Sequence, residues 1–287
     1  MLAPHMMFLR QLKSELWKLF GKKRTYIGFG MFLLAQNAML LGFHYSKGMK
    51  RGMERVLQGN GYMVEDYVSA LTVALIMLIP QILLLMPLYT GLIGGDLVAK
   101  EAEDGTLRMI LCRPVSRWRV LLVKWVAGVI FSISQVVALG VMALVFASFW
   151  FPWRGMFVLI PEPERIFAVL SAAEGLKLYA ASHIFLAINA STMMTLAFMF
   201  GCFNMKPAAA TVLSISFLLL NLVLESIPAL SEYRPYLLLH HFRSWVTVYG
   251  SPLDWARLWT SVAVLAAFNV SCLFVGGTAF HLRDIKS

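Results

Sequence analysis

The sequence predicts an all-α membrane protein: six transmembrane helices preceded by an amphipathic helix at the membrane interface, with a further short helix between spans two and three. Three observations carry this prediction. Of the 287 residues, 59% are hydrophobic and only 14% are charged, whereas an ordinary globular chain carries roughly a quarter of its residues as charges. The apolar residues gather in uncharged runs near the length of about 20 that a helix needs to cross a hydrocarbon layer about 30 Å thick. The charges fall in short clusters between those runs, as expected where only the loops are wet.

The first element spans residues 1–25. Leu9, Leu12, Leu16, Leu19 and Phe20 recur at helical spacing, while Arg10, Gln11, Ser14 and Lys18 fall opposite. That pattern describes a helix lying in the interface with its basic face on anionic headgroups. Gly21, followed by Lys22, Lys23 and Arg24, breaks it at headgroup depth. No small-residue cleavage site follows the first apolar run, so the N-terminus is expected to stay attached.

Residues 26–287 then read as a single six-span domain, with spans at roughly 26–44, 67–95, 120–149, 179–203, 208–224 and 258–280. Span two contains Pro80 and Pro87, which remove backbone donors and are expected to kink it. Gly91 and Gly95 in the same span would permit close helix approach, although glycine is common in spans. Cys112, Cys202 and Cys272 lie far apart, match no metal or redox spacing, and are expected to be buried small apolar residues.

The net charge of +10 would suit nucleic acid, but membrane topology explains it better. With the N-terminus inside, fifteen Lys and Arg residues fall on the cytoplasmic side and ten outside, and the two densest clusters flank spans one and three. Three outer segments are too long for simple turns. Residues 46–66 are polar with several glycines. Residues 150–178 mix Pro152, Pro161 and Pro163 with apolar stretches and are expected to form short surface helices. Residues 227–257 interleave prolines with Tyr233, Tyr236, Trp245, Tyr249 and Trp255, followed by Trp259, which suggests an interfacial aromatic belt.

The stretch from Gly95 to Lys124 is the most informative. Charges crowd between two apolar spans, Asp104 can cap a short helix, and Leu107, Ile110 and Leu111 share one of its faces until Pro114 ends it. Ser116 can cap the following span, with Val115 stapling onto Val120.

At these residues the sequence resembles the type-2 ABC transporter permease family, whose pattern A-x-E-x-E-x-G-T-L-x-x-L-L-x-x-P-V-S-R is followed by a lysine. The matching positions are Ala99, Glu101, Glu103, Gly105, Thr106, Leu107, Leu111, Pro114, Val115, Ser116, Arg117 and Lys124, with Ile110 in place of the first leucine of the pair. The amphipathic start looks like the family's elbow helix. Phe280, Arg283, Asp284 and Ile285 look like its F-x-x-R-D-I tail, and the run from His240 to Trp245 is similar to the region ahead of the last span in one branch. The longer outer segments depart from a minimal permease and leave room for an extracytoplasmic partner or a lid.

The resemblance implies that the short helix is a cytoplasmic coupling helix docking into a separate ABC ATPase subunit, which would hold the ATP and Mg. Glu101, Glu103, Gly105, Thr106, Leu107, Leu111, Pro114 and Arg117 would form that contact, with Glu101 and Glu103 offering carboxylates to basic groups of the ATPase. A solvated helix face is the plainer reading of those two acids, and positive-inside retention explains Arg113, Arg117 and Arg119 nearly as well. The resemblance also implies a second permease copy or close paralogue, and a multi-pass location in the plasma membrane, the inner membrane of a bacterium, with both termini cytoplasmic. An exporter is the reading that follows. A mechanical or assembly subunit acting on an outer partner is the alternative, and a secondary transporter ranks third.

The chain itself shows no chemistry. G-x-x-x-x-G-K-[ST], H-E-x-x-H and G-x-S-x-G are all absent, and adjacent His240 and His241 project differently, so no catalytic residue, bound cofactor, metal or nucleic-acid partner is expected. Polar residues within the spans include Gln81, Gln135, His183, Asn189, Asn221, Asn269 and Glu225. Such groups mark a pathway by default, and Glu225, Asn189 and Asn221 are the candidates for a substrate path, although bonding between helices is the commoner role for Asn and Gln.

Overall fold

The computed structural model describes residues 4–112, 115–160 and 164–283. Within these, α1 (Pro4–Phe20) leads through Gly21 into α2 (Lys23–Tyr45), α3 (Lys47–Gly59) and α4 (Val64–Tyr67). Next, α5 (Ala70–Pro80), a π turn (Gln81–Leu85) and α6 (Met86–Glu103) form one continuous rod, and α7 (Thr106–Leu111) joins it to α8 (Arg117–Trp150). A hairpin of β1 (Met156–Ile160) and β2 (Ile166–Leu170) precedes α9 (Ala172–Cys202) and α10 (Pro207–Ser226). A 3-10 helix (Pro228–Tyr236), α11 (Leu238–Phe242) and α12 (Ser244–Thr247) lead to α13 (Trp255–Leu282).

Among the described residues, six helices are long and apolar enough to cross a membrane: Thr25–Tyr45, Ala70–Glu103, Arg117–Trp150, Ala172–Cys202, Pro207–Ser226 and Trp255–Leu282. They match the six runs expected from the sequence and mostly overrun them, although the second begins at Ala70 rather than Tyr67 and the fourth ends at Cys202 rather than Phe203. Spans two and three each have 34 residues, which at about 1.5 Å per residue makes rods of about 50 Å. A hydrocarbon layer of about 30 Å cannot cover such a rod, so both carry their ends well clear of it. Spans two and four are the most enclosed, with 61% of each apolar window buried against 22% for spans one and six. The core therefore forms around α6 and α9. Gly94 makes this approach possible, because a Cβ there would lie 2.2 Å from the Met194 carbonyl oxygen. Gly91 and Gly95 face α10 instead, where a Cβ would meet Ser214 Oγ and Thr211 Oγ1, each at 3.0 Å. The kink expected at Pro80 and Pro87 takes the form of the π turn between them, which widens the backbone ladder where proline withholds a donor.

Four expectations are corrected. The 150–178 segment contains no short surface helix among its described residues. Its two apolar runs pair antiparallel from Met156↔Leu170 to Ile160↔Ile166, because β-branched and aromatic residues bounded by turn signals favour strands over a helix too short to nucleate. Pro161 and Pro163 lie outside the described residues. Asp104 ends α6 rather than starting α7, with its N–H donating to the Lys100 carbonyl, and Gly105 follows at φ +71°. That left-handed residue is the ordinary way to stop a helix. Trp245 and Tyr249 are buried, at 7% and 1% exposure, while Tyr233, Tyr236, Trp255 and Trp259 stay exposed. The belt is thus partial, because α12 and the turn after it sink between the spans. Cys112 is exposed, since it sits in the turn after α7, whereas Cys202 and Cys272 are buried as expected.

Candidate functional site

The alternation of the six spans places α1, the turn through α7, and the last residues of α13 at one end of the bundle, here called the α1 end. Thr106 Oγ1 donates to the Glu101 carbonyl at 3.3 Å and fastens α7 back onto the rod that carries it. Leu107, at 1% exposure, plugs into the cluster formed by Leu97, Leu121, Phe131 and Phe280. Met109 on the same short helix is 67% exposed. Ile110 and Val115 border a cavity of about 150 Å³ beneath α7, which Glu15, Val120 and Lys124 also line. Nothing is described of the Leu111 side chain, and Arg113 and Pro114 lie outside the described residues. Ser116 caps α8 as the sequence suggested, its Oγ accepting from the Arg119 N–H at 3.3 Å.

An ion-pair hub stands beside this turn. Lys124, two turns into α8 and only 2% exposed, lies 2.9 Å from Glu15 Oε2 of α1 and 2.8 Å from Glu101 Oε1 of α6. Lys18 closes the set at 2.7 Å from Glu15 and 3.3 Å from Glu101. Burial raises the Glu15 carboxyl, but Lys124 and Lys18 together outweigh it and hold the group below its ordinary range. Burial opposes the Lys18 ammonium in turn, yet Glu15 and Glu101 hold its pKa above the ordinary value. Glu101 therefore turns inward, whereas Glu103 and Asp104 face outward, their side chains 45% and 49% exposed, and share Lys100 at 2.9 and 3.2 Å.

Two further ties lock the turn to other helices. Arg117 Nη1 donates to the carbonyls of His281 at 2.9 Å and Arg283 at 3.0 Å, supplying the open end of α13 with a cation and a donor. Arg119 Nε donates to Gln11 Oε1 at 3.1 Å, and Trp118 packs where Gly277 leaves room for its ring. Arg283 also bonds Asn204. Asp284 and Ile285 of the tail lie outside the described residues. In consequence α1, α6, α7, α8 and the end of α13 form one bonded unit at the tip of the two long rods.

The other three candidates gather around α11, Asn221 and Glu225 near the far end of α10 and Asn189 close to the middle of α9. Asn189 Nδ2 donates to the Phe242 carbonyl at 2.6 Å, and Asn221 accepts from the Leu238 N–H at 3.0 Å while donating to the Phe217 carbonyl at 2.9 Å. Glu225 pairs with Arg243 at 3.1 Å. Each of the three holds α11 or its flanks. None lines the apolar groove of about 640 Å³ between α8, α9 and α13. Glu164, its side chain 4% exposed, completes a second network with Arg243 at 3.4 Å and Arg257 at 3.2 Å. His241 bonds both Ser261 and the Pro235 carbonyl, and burial lowers its pKa.

Sequence reasoning missed Glu15, Lys18, Glu164 and Arg243 as partners, and held Lys124 only as a motif position. A signal existed for Lys124: a charge inside an otherwise apolar helix requires a partner. Glu15 is likewise the one acid of α1. Nothing local marked Glu164.

Residues 18–275 match the family described as ABC-2 family transporter protein. The chain is also 23% identical over 211 residues to the uncharacterised protein YhcI of Bacillus subtilis (strain 168), across 71% of this chain. The match spans 66% of the length of that relative.

Proposed function

The chain belongs to the ABC-2 family of transporter proteins, a class of multi-pass membrane transport components, and from that premise we propose that it is the permease subunit of an ABC exporter. In this reading the α1 end faces the cytoplasm and a separate ATPase subunit, holding ATP and Mg, docks against the turn through α7. A second copy of the chain or a close paralogue completes the transmembrane path. The single observation that carries the reading is the bonded unit at the tip of spans two and three. A push on α7 reaches α1, α8 and α13 together through Lys124, Thr106 and Arg117, without first bending a loop.

The two motif carboxylates take different roles. Glu101 positions the lever from within, held by two lysines, while the exposed Glu103, with Asp104 and Met109, offers the docking face. Charge complementarity of this kind governs association more than stability. Purified chain is expected to hydrolyse no ATP until mixed with its cognate ATPase. Glu103→Lys is expected to weaken pull-down of that ATPase about tenfold while membrane insertion is unchanged. Hydrolysis by this chain alone, or undiminished association of the variant, overturns the reading.

A second reading draws on the ordered far end, where the hairpin is tied to span two by the Phe157 N–H donating to Thr72 Oγ1 at 2.8 Å. There the ATPase would drive an outer partner, and no cargo would cross. Vesicles containing only permease and ATPase separate the two, because cargo movement in them supports export and its absence supports the mechanical subunit.

A further inference from the structure

Helix α3 carries four cations and one acid in 13 residues. By helical register positions 47, 51, 54, 55 and 58 share one face, and their residues are Lys, Arg, Glu, Arg and Gln. The opposite face is already spent inside the protein. Leu57 is fully buried, Met53 is 8% exposed, and Met53 borders the same cavity as Leu75, Ile79 and Phe157. The helix is therefore bracketed to span two and β1, and has no apolar face left to insert into lipid. Arg51 and Arg55 point away exposed, and neither forms an ion pair among the described residues.

We propose that this outward face of α3 is a docking surface for anionic phospholipid headgroups at the far end of the bundle. Depth selects this occupant. A single residue, Ser46, separates α3 from a membrane-length helix whose last residue, Tyr45, is 73% exposed. Arg51 and Arg55 are thus held at headgroup level, where lipid phosphates are the nearest abundant anions. Anchored there, α3 fixes the height of span two in the bilayer. The assignment does not rest on export or on an ATPase.

The full chain in mild detergent, titrated with short-chain phosphatidylglycerol, phosphatidylcholine or polyglutamate and read by native mass spectrometry, tests it. Each basic residue near an anionic surface contributes about a factor of five, so the double variant Arg51→Gln with Arg55→Gln is expected to lose phosphatidylglycerol affinity by about thirtyfold. Phosphatidylcholine binding is expected to stay the same. Glu54→Gln, which removes the negative charge from the same face, is expected to gain about fivefold for phosphatidylglycerol. Phosphatidylglycerol affinity unchanged in both variants overturns the proposal. So does polyglutamate bound as tightly and lost in parallel, which would assign the face to an acidic macromolecule instead.

Discussion

The two ends of the bundle each hold a buried network of two acids and two bases, built with opposite polarity. At the α1 end the most enclosed member is a cation, Lys124 at 2% exposure, with Glu15 and Glu101 around it at 13% and 17%. At the far end the enclosed members are carboxylates, Glu164 at 4% and Glu225 at 6%, with Arg243 and Arg257 at 28% and 35% on the wet side. A central buried lysine binds three helices at one point, and nothing but another cation can replace it. Buried carboxylates served by half-exposed arginines make a looser clasp, since water can share the load on the arginine side. The contrast assigns stiffness to the α1 end and a fastening, releasable on the arginine side, to the segment around α11 and α12.

Lys124→Met probes the stiff end hardest. It leaves Glu15 and Glu101 sharing only the half-exposed Lys18, and removing one partner of a buried pair costs about 3–5 kcal/mol. Thermal unfolding in detergent is expected to show the largest loss of any single substitution at either network. A loss no greater than that of Arg243→Met would erase the distinction between the ends.

Arg243→Met at the far end is the intermediate case. Arg257 still serves Glu164, but Glu225 at 6% exposure loses its ion pair with Arg243, so the expected loss is about 2–3 kcal/mol. Hydrogen exchange is expected to rise in residues 237–247 while residues 101–124 stay protected. Exchange rising equally at both ends would mean that the two networks form one cooperative unit.

The smallest effect is a pH dependence. The Glu15 carboxyl is held below its ordinary value of 4.5, so its contribution is present above that value and is lost as pH falls through the depressed folded value. Lys18, raised above its ordinary 10.5, contributes fully below that value and loses its contribution as pH rises through the elevated folded value. Limited proteolysis of α1 is therefore expected to be slowest between about pH 5 and 10. Glu15→Gln is expected to flatten the acid limb, and an unchanged acid limb would remove Glu15 from the hub.

Legibility in the sequence follows the range of the forces involved. The six crossings were readable because hydrophobic length is a local property, and Ser116 because capping reaches only three residues. The inward turn of Glu101 was not readable, because its partners lie 83 residues before it and 23 after it, at Lys18 and Lys124. The hairpin was misread as helix because short apolar runs carry little period, and Thr72, 85 residues from Phe157, helps to hold it.

By itself the sequence determined the solvent, the number of crossings and the position of the exposed turn, since partition into lipid depends on composition over about 20 consecutive residues. Only the tertiary structure decided which charges face each other, which of two neighbouring carboxylates stays free, and which tyrosines and tryptophans leave the interface for the interior. Those outcomes depend on which distant helices become neighbours. In a low-dielectric interior, such contacts outweigh any preference of the residues themselves.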